Sequence, residues 1–326
     1  MDIRKTNNRA AVCLFGDDGG RVRVLGRTKA DWMRKHLGDV KCMEGAPLGN
    51  AESAERFFRT AGACVGELFR WGYRGCETVV LLWSELICFR REHLDGLIDR
   101  LEGSGESVLR FQCGAVGRLE ALAEGKEGRF ERIVRPCVTP HCEQPSACEE
   151  VLRREILERL GRSGVKIYSP QTLDVDDLSC VGEGSELLAG VTLRASVVGR
   201  SCRLENCRIA SSSLSHDCVV TGSAIDECTV KAEARVLSSS AAGCTIERGA
   251  FLCGGEFRDC VIGEGSRVLP EGKLSRVRLG EHCRLGMCNE LRDGVTLGAG
   301  VFSACGVRLH GSRSVRSGEF LNHSST

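Results

Sequence analysis

The sequence carries almost no excess charge: 45 Lys and Arg oppose 44 Asp and Glu across 326 residues, for a formal net charge of +1. That balance gives no electrostatic footprint for nucleic acid or an anionic membrane, and neither is expected as a partner. Long apolar runs are also lacking. The first 30 residues hold Arg4, Lys5, Asp17 and Asp18, and the apolar stretch from Thr78 to Phe89 is short and broken by Glu85. Neither stretch reads as an export signal or a membrane span, so a cytoplasmic protein is expected. Without an export signal, the 20 cysteines of so long a chain read as reduced thiols rather than a disulfide framework.

Residues 181 to 309 place an aliphatic side chain at nearly every sixth position. Val181, Leu187, Val198, Leu204, Leu214, Val220, Ile225, Val230, Val236, Ile246, Leu252, Phe257, Ile262, Val268, Leu274, Leu279, Leu285, Leu291 and Leu297 form the series. A period of six fits neither a helix nor a flat strand pair. It fits a parallel β-helix whose triangular coils spend three hexads each and turn every aliphatic into one core. The slot four residues after each aliphatic is expected to face inward as well. It holds the mostly small Ser185, Cys202, Cys218, Ala224, Ala234, Ala250, Ser266, Cys283 and Val295, with cysteine packing there as a small hydrophobe. Gly182, Gly199, Gly263, Gly280, Gly286 and Gly298 follow the aliphatic directly, where a Cβ is costly. Around residues 237 to 245 the phase is lost, which predicts an irregular coil or a loop leaving the prism.

The first 160 residues alternate short apolar runs with helical patterns, predicting an α/β layer. Strands are expected at Ala11 to Phe15, Val22 to Leu25, Thr78 to Leu82, Ser107 to Gln112 and Arg132 to Val134. Core-facing helices are expected over residues 54 to 69, through Leu94, Leu97, Ile98 and Leu101, and from Ala147 to Leu160, the last opened by a capping box at Ser146 and Glu149. The domain reading is an α/β domain over 1–145, a connecting helix over 146–164, and a β-helix with an irregular C-terminal tail over 165–326. Cys137, His141, Cys142 and Cys148 cluster among prolines, but their spacing matches no common zinc knuckle, and zinc is not the expected occupant.

The run RREILERLGRSGVKIYSPQTLDVDD from Arg153, and the coils VVGRSCRLENCRI after it, resemble the domain junction of the bacterial bifunctional N-acetylglucosamine-1-phosphate uridyltransferase and glucosamine-1-phosphate acetyltransferase family. Gly164, Val165 and Pro170 match the family's junction, with Ser169 replacing its acid. The resemblance implies a reduced, Rossmann-like nucleotidyltransferase domain followed by a left-handed β-helix of hexapeptide repeats, assembled as a homotrimer. Upstream it covers islands only. Val22 to Leu37 is similar to a strand, turn and helix of the family; Leu48 and Gly49 match the start of its uridine and sugar loop, which Asn50 leaves. Trp83, Ser84 and Glu85 stand where the family has a metal turn. Gly117 and Arg118 match a further segment, and Ile133 and Val134 another, whose acid has become Arg135.

By this resemblance, a pocket for a nucleotide sugar or sugar phosphate is expected at Leu48, Gly49, Asn50, Gly117 and Arg118, with Mg2+ on Glu85. The family's glycine-rich triphosphate loop is absent; the glycines nearest its place, Gly16, Gly19 and Gly20, enclose Asp17 and Asp18 and read as a turn. RLGMCNEL from Arg284 and VTLGAGVFSACG from Val295 resemble two acetyltransferase coils, implying acetyl-CoA beside Asn289 and Ala299. The coil carrying the family's catalytic histidine is missing between them. Acyl transfer to an amine needs a base within reach, and the candidates left are His282 and His310. Three readings result: a uridyltransferase, a catalytically silent scaffold or sugar-nucleotide sensor, and an acetyl-CoA-dependent acyltransferase.

Overall fold

A computed structural model describes residues 10–15, 23–38, 40–44, 77–83, 89–111, 114–124, 126, 128–130 and 145–322. The chain divides into two compact units, 1–152 and 153–326, with the division inside the helix Pro145–Arg162.

The first unit is built on a six-stranded mixed sheet in the order Lys41–Glu44, Ala10–Phe15, Thr78–Trp83, Gly114–Arg118, Val108–Phe111, Arg129–Phe130. The first three strands run parallel, with Leu14 opposite Glu44 and Phe15 opposite Trp83; Gly114–Arg118 runs against them. Val12, Val80, Leu82, Leu109 and Val116 from the sheet pack with Met33 and Leu37 of the helix Lys29–Leu37 and Leu94, Leu97 and Leu101 of the helix Arg91–Ser104. Thr28 caps the first of these, its hydroxyl accepting from Asp31 N at 3.1 Å. The expected strand at Val22 to Leu25 is instead a tight antiparallel pair, Arg23–Val24 with Arg27–Thr28, turned by Leu25 and Gly26. The expected elements at 54–69 and 132–134, and the side chains of Cys137, His141, Cys142 and Cys148, lie outside the described residues. The helix Pro145–Arg162 opens on proline, which suits a first helical position, so Ser146 lies within the first turn and not at the cap.

The second unit is a parallel β-helix of three sheets, two of nine strands and one of ten. The first face runs from Asp174–Val175 to Arg308–Leu309, the second from Cys180–Val181 to Ser314–Val315, the third from Lys166–Ile167 to Phe320–Leu321. All nineteen aliphatics of the hexad series are buried, with Leu193, Ile209, Leu309, Val315 and Leu321 in the same role. The helix before the prism is tied to its first coil: Arg159 donates to Asp177, whose carboxylate is wholly buried, at 2.7 Å.

The coils do not hold a strict eighteen-residue length. Partners on the first face fall 18, 16, 16, 16, 16, 17, 17 and 18 residues apart, from Val175 and Leu193 to Leu291 and Leu309. Two of the three edges of the middle coils shorten to a single left-handed residue, such as Asn206, Ser211, Glu227 or Asp259. Each donates its N–H to the coil before, as Asn206 does to Ala189 O at 2.8 Å. This corrects two expectations. No loop leaves near 237–245, because Arg235–Leu237, Ser240–Ala242 and Thr245–Ile246 are regular strands and Ala241 occupies the aliphatic position. Regular strands also run on to Leu321, into the stretch expected as an irregular tail.

The small inward slot is set two residues before each aliphatic, not four after the previous one. Ala224 is therefore exposed, and Ser223 fills the slot. Several of these small residues hydrogen-bond rather than merely pack. At the first-to-second edge Ser196 N donates to Ser179 Oγ, Ser212 N to Ser196 Oγ, Cys228 N to Ser212 Oγ and Cys244 N to Cys228 Sγ, over 3.0 to 3.3 Å. A buried N–H facing a chain that has turned away is costly unless a side chain one coil earlier accepts from it. Gly182 and Gly199 answer a different constraint: a Cβ there would lie 2.7 and 2.6 Å from the backbone of the next coil.

Candidate functional site

Two places concentrate the candidates. The first is the carboxyl edge of the parallel strands in the amino-terminal sheet. Phe15, Glu44 and Trp83 end side by side there. The chain turns to one side of Ala10–Phe15 for its next parallel partner and to the other side for the one after, so the sheet has a switch point between Ala10–Phe15 and Thr78–Trp83. Segments 16–20, 45–50 and 84–88 depart from these ends. Leu48, Gly49, Asn50 and Glu85 themselves lie outside the described residues.

Gly117 and Arg118 are not brought to that edge. Their strand runs antiparallel, so Arg118 pairs with Thr78, at the start of Thr78–Trp83 and about 17 Å of strand from its end. Gly117 is buried beneath Val108 and Leu122, and Arg118 leads into the short helix Leu119–Ala123. Among the described residues no group of three or more His, Cys, Asp and Glu side chains stands together as a metal site.

The second place is a groove of about 780 Å³ along the third-to-first edge of the β-helix. It exists because Gly222, Ala224, Ser238, Ser240 and Gly254 keep side-chain bulk off three successive coils. Its far wall carries Glu256, Lys273, Glu290 and Arg308 in register on successive coils of the first face. Glu290 accepts from Arg292 at 2.6 Å and stands 3.7 Å from Arg308, while Lys273 has no ion-pair partner among the described residues. At the rim the Cys288 thiol donates to Glu271 at 3.2 Å; that hydrogen bond, then burial, raises the thiol's pKa. Sequence reasoning missed this groove because its floor is a run of residues too small to draw attention.

Asn289 is among the residues lining the groove. Its side chain is buried, donating to Gly286 O at 3.0 Å and Ser303 Oγ at 2.5 Å and accepting from Val307 N at 2.7 Å. The amide expected beside a cofactor is spent inside the prism. His282 and His310 are exposed, on the second-to-third and first-to-second edges respectively, and neither is on the groove edge. Ala299 is exposed on the same edge as His282, its N–H donating to Ser317 Oγ at 3.1 Å. The structure therefore brings neither histidine to the groove or to the other.

No family model matches the chain. It is similar to the bifunctional protein GlmU of Alkaliphilus metalliredigens, 27% identical over 152 residues, covering 44% of the chain and 33% of that protein. The match thus spans about a third of the relative's length. Among solved structures, a putative acetyltransferase of Bacillus cereus is matched at 10% identity over 48% of this chain and 77% of that one, with a TM-score of 0.18. The acetyltransferase domain of PglB from Neisseria gonorrhoeae, in complex with acetyl coenzyme A, is matched at 19% identity over 60% and 68%, with a TM-score of 0.17. The chain is thus similar to part of that GlmU protein, and along its sequence a small α/β unit is succeeded by a parallel β-helix. Among the described residues no helix is long and apolar enough to cross a membrane.

Proposed function

We propose that the chain is a cytoplasmic sugar-1-phosphate nucleotidyltransferase-like protein that takes its nucleotide at the carboxyl edge of the amino-terminal sheet. The observation that supports this is the register placing Glu44 and Trp83 on either side of Ala10–Phe15. In sequence, Leu48, Gly49 and Asn50 follow the strand ending at Glu44, and Glu85 follows the strand ending at Trp83. In the reaction, a phosphate oxygen of N-acetylglucosamine 1-phosphate attacks the α-phosphorus of UTP, forming UDP-N-acetylglucosamine as pyrophosphate leaves. Such a transfer is mainly positioning and charge neutralisation. Leu48, Gly49 and Asn50 would line the uridine and sugar pocket, and Glu85 would hold Mg2+. On the second face Val197, Ser213, Thr229, Thr245 and Val261 form an outward column that is uncharged up to Arg278, which suits self-packing into a homotrimer.

Pyrophosphate release from UTP, N-acetylglucosamine 1-phosphate and Mg2+ tests the proposal; Glu85→Ala should abolish it. Absence of release with retained UDP-sugar binding by calorimetry would favour the silent scaffold or sensor. The groove favours a third reading, an acyltransferase taking acetyl-CoA with an anionic group on Lys273. Acetyl-CoA consumption with glucosamine 1-phosphate, lost in Lys273→Ala, would support it.

A further inference from the structure

The outward residues of the third face form a single file unlike the other two faces. Through the last six coils the leading outward position is held by Arg235, Phe251, Arg267, Arg284, Phe302 and Phe320, paired in register from coil to coil. The companion outward column, from Leu237 to Ala304, contains no charged residue over the same coils. Arg235, Arg267 and Arg284 have no carboxylate partner among the described residues; Arg284 instead lies over the Phe302 ring at 5.4 Å. Phe302 and Phe320 are 43% and 63% exposed. With coils about 4.8 Å apart, the file is about 24 Å long.

We propose that this strip binds single-stranded nucleic acid. Guanidiniums interspersed with the half-buried Phe251 and the exposed Phe302 and Phe320 on one sheet face supply what such a strand needs, cations for phosphates and π-faces for unstacked bases. The overall charge of +1 concealed the strip, because acids on other surfaces cancel it. A membrane fits less well. Glu264 and Glu281 stand exposed along the neighbouring second-to-third edge, so a broad anionic plane would meet acids beside the arginines, whereas a narrow strand lies along the file alone.

The test is fluorescence anisotropy of a labelled 12-nucleotide oligothymidylate titrated with the full chain at several salt concentrations. Three phosphate contacts give a slope of log K against log salt of about −2, and Arg267→Ala should bring it to about −1.4. Phe320→Ala should weaken binding at least fivefold with the slope unchanged. All these side chains point outward, and unchanged thermal melting will show that the variants fold. No binding at low salt, or binding indifferent to both substitutions, overturns the proposal. So does tighter binding to phosphatidylserine vesicles than to the oligonucleotide with the same variants defective, or self-association abolished by Phe320→Arg, since either assigns the strip to another partner.

Discussion

Ser212→Ala tests the account of the inward slots most directly. The hydroxyl accepts from Cys228 N at 3.0 Å and donates to Ala210 O at 2.6 Å, and Ser212 is only 5% exposed. Alanine preserves the slot's size and the adjacent Leu214 in the core, so the change is confined to hydrogen bonding. Ala210 O keeps a partner, because Glu227 N also donates to it at 3.1 Å. Cys228 N–H keeps none, and a buried orphaned donor costs about 1–3 kcal/mol. Urea unfolding should therefore show Ser212→Ala less stable by about 2 kcal/mol, with an unchanged dependence on denaturant. Ser212→Cys should recover most of the loss, since a thiol already plays this role between Cys228 and Cys244. Ser213→Ala, on an outward side chain one residue later, should stay within about 0.5 kcal/mol of the parent. If Ser212→Ala unfolds at the same urea concentration as the parent, or Ser213→Ala loses as much, small size alone explains the slot and the reasoning fails.

Phe257 fills the first-face core between Ala241 and Leu274, its ring folding back over Gly255; Phe257→Ala should cost about 3–5 kcal/mol in the same assay. Gly199→Ala should lose about 1–3 kcal/mol from overpacking, because the new Cβ would stand 2.6 Å from the Ser215 carbonyl carbon, backbone that cannot yield cheaply. Burial pushes the Cys207 thiol up to about 12. Its contribution to stability is complete below the usual thiol value near 9 and is lost as pH rises through about 12, so the stability difference between the parent and Cys207→Ala should shrink over that window. At pH 8 iodoacetamide should label the exposed Cys180, Cys288 and Cys305 in the folded protein and spare Cys207 and Cys283, as peptide mass spectrometry would show.

The prism was legible in the sequence because each coil turns one large aliphatic per side into a shared core, and that demand repeats. What was not legible was the length of the corner. A left-handed residue such as Asn206 or Ser238 turns the chain alone where two residues turn it elsewhere, so counting forward from Val220 landed on Ala224 while counting back from Ile225 finds Ser223. Ala241 broke the series only because a large neighbour, Phe257, fills the space it leaves. In the first unit, Gly114–Arg118 was invisible as a strand: GAVGR has little strand propensity, yet its glycines are buried because a Cβ on Gly114 would strike the Leu81 carbonyl. Nor does a motif match at Gly117 and Arg118 register that their strand runs antiparallel to Thr78–Trp83. The groove escaped for a related reason, since it is made by residues on three coils that are distant in sequence and small.

The left-handed corners have one further consequence. From Ser169 to Asp293, fifteen residues other than glycine hold positive φ, and for those that are neither Asn nor Asp this carries an intrinsic disadvantage of about 1 kcal/mol. Evolution has left the prism with a reservoir of unused robustness that an engineer could tap. Glycine or asparagine at Ala195 or Glu227 would relax the turns without disturbing the interior, the groove or the arginine and phenylalanine file, and both together should raise the melting temperature while leaving every binding surface as it is.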